Sequence, residues 1–114
     1  MVKNDYYVIA YLMLSYLYEC LKQDVKLDIK QISHDAQNIN IPYGYWCYIL
    51  RHLYKEGYIE GVALVKTLGG NEGVKLLPGF MITPKGIEYL DENSSMAKAK
   101  DFVMKLICLA PWFT

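Results

Sequence analysis

Pro42-Tyr43-Gly44-Tyr45-Trp46-Cys47-Tyr48-Ile49-Leu50-Arg51-His52-Leu53-Tyr54-Lys55-Glu56-Gly57 is the stretch on which the fold turns. Proline fits the first turn of a helix, where its missing amide hydrogen costs nothing, and a glycine after Lys55 and Glu56 supplies a left-handed stop. The spacing therefore predicts a helix over about Pro42 to Glu56. On its wheel Trp46, Ile49, Leu50 and Leu53 share one side. Gly44, Tyr48, Arg51 and Lys55 share the other, flanked by Tyr43 and Cys47. The first side is core and the second faces solvent.

Upstream, Asp28 followed by Gln31 reads as a capping box. It starts a short helix with Ile29, Ile32 and Ala36 on one face, ending before Asn40. Before that, Asp5 caps a first helix reaching about Lys22, with Tyr6, Ala10, Met13, Leu17 and Leu21 as its core face. Tyr7, Tyr11, Leu14 and Tyr18 lie opposite, and a helix apolar all round has partners on two sides. One of those partners is expected to be a second copy of the chain.

Downstream, Tyr58 to Thr67 is rich in β-branched and aromatic residues, Gly69-Gly70-Asn71-Glu72-Gly73 is a turn, and Val74 to Ile82 is a second extended run. This is a hairpin. Thr83 before Pro84 starts a fourth helix, with Ile87 and Leu90 inward and an end near Asn93. After a joint of Asn93, Ser94 and Ser95, helical spacing at Met96, Ala99, Val103, Leu106, Ile107 and Ala110 predicts a fifth helix, stopped by Pro111. The expected fold is mainly α with a small β-hairpin (α+β): a winged helix-turn-helix with an additional C-terminal helix. One domain covers 1–114, with its core in 1–93, and 94–114 is expected to join helix one in a homodimer contact.

Composition narrows the function. With 54% hydrophobic and 21% charged residues, a chain of 114 residues can bury a core. Twelve basic side chains balance twelve acidic ones, so no global positive field draws in phosphate, and nucleic-acid affinity has to come from local patches. Cys20, Cys47 and Cys108 are odd in number and far apart, which argues against a disulfide framework or a zinc site. The uncharged apolar run from Tyr6 to Tyr18 is shorter than the roughly 18 residues of a membrane span, and no small-residue cleavage site follows it. A cytoplasmic location is expected.

Two stretches resemble known sequences. Leu50-Arg51-His52-Leu53-Tyr54-Lys55-Glu56-Gly57-Tyr58-Ile59 resembles the end of a recognition helix turning into a wing. Ile82-Thr83-Pro84-Lys85-Gly86-Ile87-Glu88-Tyr89-Leu90 resembles the "LTxKGxxYL" entry into the helix after the wing. Both are similar to bacterial winged-helix regulators of the MarR and PadR types. Their separation and the tail beyond Met96 look most like the YjcQ-like family, small winged-helix proteins of Gram-positive bacteria and their phages. That resemblance covers nearly the whole chain and implies the fold; it brings no activity with it.

On this frame, Arg51 can read guanine bidentately, Lys55 can meet phosphate, Tyr48 and Tyr43 can do either weakly, and Gly44 lets the backbone approach closely. His52, beside the polar face, can donate to phosphate. Lys66 and Lys75 flank the glycine-rich tip and can bracket a phosphate backbone or an adjacent minor groove, which Glu72 opposes. The plainer reading of these cations is a solvated surface. The tip glycines lack the GxxxxGK[ST] spacing of a phosphate loop and are explained by turn geometry. Tyr6, Tyr54, Tyr58 and Tyr89 sit beside the core, which accounts for them better than stacking on single strands.

No nucleophile with a base, paired carboxylates or clustered ligands have usable spacing, and His34 with Asp35 is a dipeptide whose side chains diverge. No enzyme activity, cofactor or metal is expected. The leading expectation is a dimeric, double-stranded-DNA-binding transcriptional regulator of bacterial or phage origin. The alternative is a protein-interaction module on the same scaffold, favoured by neutral charge and surface tyrosines.

Overall fold

The computed structural model describes residues 6–93, apart from 38, 67 and 71. Helix α1 spans Tyr6–Gln23, and every residue from Ile9 to Leu17 is buried, together with Cys20. It packs against α2 (Tyr43–Lys55), α3 (Pro84–Glu92) and β2 (Glu72–Ile82), so it is the central element of the core. Tyr11 and Leu14, expected on a side open to a second copy, are only 3% and 0% exposed within the single chain. Leu21, expected in the core, is 47% exposed at the last turn. The Asp5 cap and the fifth helix lie outside the described residues.

The second expected helix is not formed as such. Asp28 does cap, accepting from the Lys30 amide at 3.1 Å, but the helix it opens is one 3-10 turn, Ile29–Gln31. The chain leaves helical bonding at the Ile32 carbonyl. In a continuing α-helix the Ile32 carbonyl would accept from the Ala36 amide. Here the Trp46 indole Nε1 donates to it at 2.8 Å in a buried bond, and the Ala36 amide turns to Ser33 O at 3.0 Å. The chain then tightens through Asn40 in the left-handed region (φ 45°) and enters α2. From the other side, the buried Tyr16 hydroxyl accepts from the Asp28 amide at 3.1 Å and fastens the 3-10 turn to α1.

Helix α2 has the expected bounds. Pro42 precedes it, and its C-terminus is a Schellman motif: the Tyr58 amide donates to Leu53 O at 2.9 Å and the Gly57 amide to Tyr54 O at 3.0 Å. Gly57 takes φ 84°, a conformation glycine adopts without a Cβ penalty. Trp46, Cys47, Ile49, Leu50 and Leu53 are buried.

The hairpin pairs β1 (Ile59–Lys66) with β2 antiparallel, from Ile59 opposite Ile82 to Lys66 opposite Glu72. Register shifts between Glu60 and Val62, where Gly61 alone faces Leu77 to Phe80. Gly61 sits at φ 78°, and a Cβ there would stand 2.3 Å from the Gly79 carbonyl carbon. Pro78, which cannot donate to a ladder, falls in this bulge. Thr83 caps α3 by accepting from the Gly86 amide at 3.1 Å, and the Thr83 amide donates to Tyr58 O at 3.0 Å. The result is a small α+β fold in winged-helix order, with its middle helix cut to one turn.

Candidate nucleic-acid interface

Seven of the eight expected site residues lie on α2 or on the face of the hairpin beside it; Lys75 does not. Tyr43, Gly44, Tyr48 and Lys55 are exposed along one side of α2, and His52 is half-buried beside them. Tyr43 stacks on the Trp46 ring at 5.8 Å between centroids, and the edge of His34 meets it at 5.3 Å. The segment between the 3-10 turn and α2 thereby orients the first residue of the exposed side of α2. A hydrogen bond with the neighbouring Cys47 thiol pushes the Tyr43 phenol pKa up.

Tyr48 is held by aromatic neighbours. Its ring centroid lies 4.2 Å from that of His52 and 6.2 Å from that of Tyr6. Burial and the neighbouring phenols of Tyr89 and Tyr48 push Tyr6 up to about 12. A Cβ at Gly44 would meet nothing within 4 Å, so packing does not require a glycine there.

Arg51 departs from the expectation of a cation offered freely to solvent. Its Nε lies 3.2 Å from Glu72 Oε2 of the hairpin, with the side chains 19% and 45% exposed. Its guanidinium also sits over the Tyr48 ring, 5.6 Å from the centroid. Between α2 and the hairpin tip opens a cleft of about 690 Å³, lined on one side by Tyr43, Gly44, Cys47, Arg51, His52 and Lys55, and on the other by Gly70, Glu72 and Gly73.

The two wing lysines lie on opposite faces of the hairpin. Directly opposed residues of an antiparallel ladder share a face, and successive residues alternate. Lys66, opposite Glu72, is therefore on the face of Val74 and Val62 that turns toward the helices, and Lys75, opposite Ala63, is on the other. The two would meet a backbone from opposite faces of the hairpin.

Sequence reasoning had Glu72 only as a charge opposing phosphate; its partnership with Arg51 needs the hairpin folded back on α2. The tip glycines, explained by turn geometry, also form the far wall of the cleft. No group of three or more His, Cys, Asp or Glu among the described residues could hold a metal ion. Among them too, no helix is long and apolar enough to cross a membrane.

A helix with an open polar side, a hairpin folded against it and a capped helix behind define a small α+β protein of winged-helix order. The chain belongs to the YjcQ family: the family model described as YjcQ protein matches residues 11–107. Comparison with curated proteins gives no match, and comparison with solved structures gives none.

Proposed function

We propose that this is a non-catalytic, cytoplasmic double-stranded-DNA-binding protein, a transcriptional regulator of bacterial or phage origin that sets α2 in the major groove and the hairpin against the backbone. The observation that carries this reading is the open side of α2. Tyr43, Gly44, Tyr48 and Lys55 are exposed along it, and Tyr43, Gly44 and Lys55 border a cleft whose other wall is the hairpin. A helix of that exposure beside a two-stranded ribbon fits a groove and the adjoining backbone. Polarisation titration of a labelled mixed-sequence duplex at low salt tests it, and absence of binding there overturns it.

A homodimer completes the proposal, since paired reading helices match two half-sites. On α1 the apolar groups left for such a contact are Tyr7 and Leu21, both exposed. A monomer mass in sedimentation at micromolar protein would remove this part.

A protein-interaction module is the second reading, favoured by a specific observation. The Arg51 charge is matched by Glu72, and the hairpin exposes Leu64, Val65, Leu68 and Leu77. Apolar exposure of that kind suits a protein partner better than phosphate.

A further inference from the structure

We propose that Glu72 is a charge latch on Arg51: duplex DNA gains the Nε side of the guanidinium and its full charge only by displacing the carboxylate, so Glu72 sets the affinity and salt dependence of the site. This rests on the DNA-binding reading. The two side chains come from separate elements, α2 and β2, and meet across the cleft at 3.2 Å. Arg51 has less than half the exposure of its partner, so the guanidinium is the enclosed member and the carboxylate the one that an incoming ligand meets first. A phosphate entering the cleft is repelled by Glu72, and although the Nη groups of Arg51 stay open to it, a two-pronged grip through Nε and Nη requires the pair to open.

Release has a place to go. Lys66 is the residue directly opposite Glu72 in the hairpin and shares its face, so the carboxylate swings from one cation to another without being stranded. Tyr48, under the guanidinium at 5.6 Å, keeps Arg51 over the reading side of α2 as it turns. Lys55, one turn further along the same side, has no ion pair among the described residues and needs no such exchange.

The experiment titrates the labelled mixed-sequence duplex with the full chain, as wild type, Glu72→Gln, Arg51→Ala and the double variant, over a range of salt. Glu72→Gln is expected to bind about threefold to fivefold tighter, the size of an exposed ion pair, and to steepen the slope of log K against log salt by about 0.9 for one cation set free. In the Arg51→Ala background that gain is expected to vanish. A gain of equal size there shows general repulsion and overturns the latch, as does a wild type that binds with Glu72→Gln no tighter. Failure of all four to bind overturns both the latch and the DNA reading. Should Glu72→Gln melt early, Glu72→Ser carries the same comparison.

Discussion

Gly86 lies against the Tyr58 carbonyl: a Cβ on it would stand 2.4 Å from that oxygen and 2.7 Å from Ile82 Cγ1. Tyr58 is the next-to-last residue of the first family-like stretch and Gly86 sits in the second, so the glycine after Thr83-Pro84-Lys85 is where the two meet. The Thr83 hydroxyl adds to the seam by donating to Gly57 O.

Gly86→Ala should therefore destabilise the fold despite alanine's better helix propensity, worth about 1 kcal/mol. The obstacle is backbone, which cannot swing aside, and overpacking of this kind costs about 1–3 kcal/mol. A lower urea midpoint at unchanged slope is the expected result, and an unchanged or higher midpoint would refute the close approach.

Trp46→Phe should loosen the segment before α2. The indole donates to Ile32 O at 2.8 Å in a buried bond, and phenylalanine leaves that carbonyl without this donor, at about 1–3 kcal/mol. The Ile41 amide, which donates to His34 O at 2.8 Å, should then exchange its hydrogen faster than in the wild type. Equal exchange at both would separate the tryptophan from the turn's stability.

The same bond explains what was legible in the sequence and what was not. Pro42, Gly57 and Thr83-Pro84 are local signals, each acting through its own φ or its own side chain, and each marks an element boundary in the structure. Ile29, Ile32 and Ala36 have helical spacing, yet the Ile32 carbonyl that would continue that helix accepts from Trp46, fourteen residues on, a long-range partner that spacing does not reveal. Ser33 also offers the chain a local alternative, its hydroxyl donating to Asp35 Oδ1 at 2.7 Å. At the site, the wheel of α2 separated the two faces correctly, and only the closing of the hairpin paired Arg51 with Glu72.

Alkali should unfold the protein over a defined window. Burial raises Tyr6 from 10.0 to about 12, and it also raises Tyr16, Tyr11 and Tyr89. A phenol raised in the folded chain keeps its proton after the unfolded chain has lost it, so stability present below pH 10.0 declines as pH climbs toward about 12. Melting temperature should fall across that range together with a rise in tyrosinate absorbance. A flat melting temperature would mean these phenols ionise freely in the folded state.

Gly44→Ala separates folding from binding. Nothing lies within 4 Å of where its Cβ would stand, so alanine should stabilise α2 by roughly 0.5–1 kcal/mol. If duplex DNA comes close to the backbone there, the same methyl should weaken binding. A variant that melts higher and binds as tightly as the wild type would show that no ligand approaches at Gly44.

Lys55 and Lys75 are both exposed, but only Lys55 lies on the side of α2 that lines the cleft. A lysine meeting phosphate contributes about one released counterion, so Lys55→Ala should make the salt slope shallower by about 0.9 and weaken binding at every duplex sequence alike. Lys75→Ala, which removes the same charge from the opposite face of the hairpin, should change neither. Because the two variants have equal net charge, a difference between them can come only from position. Equal losses would instead assign the binding to the protein's overall charge and detach it from α2.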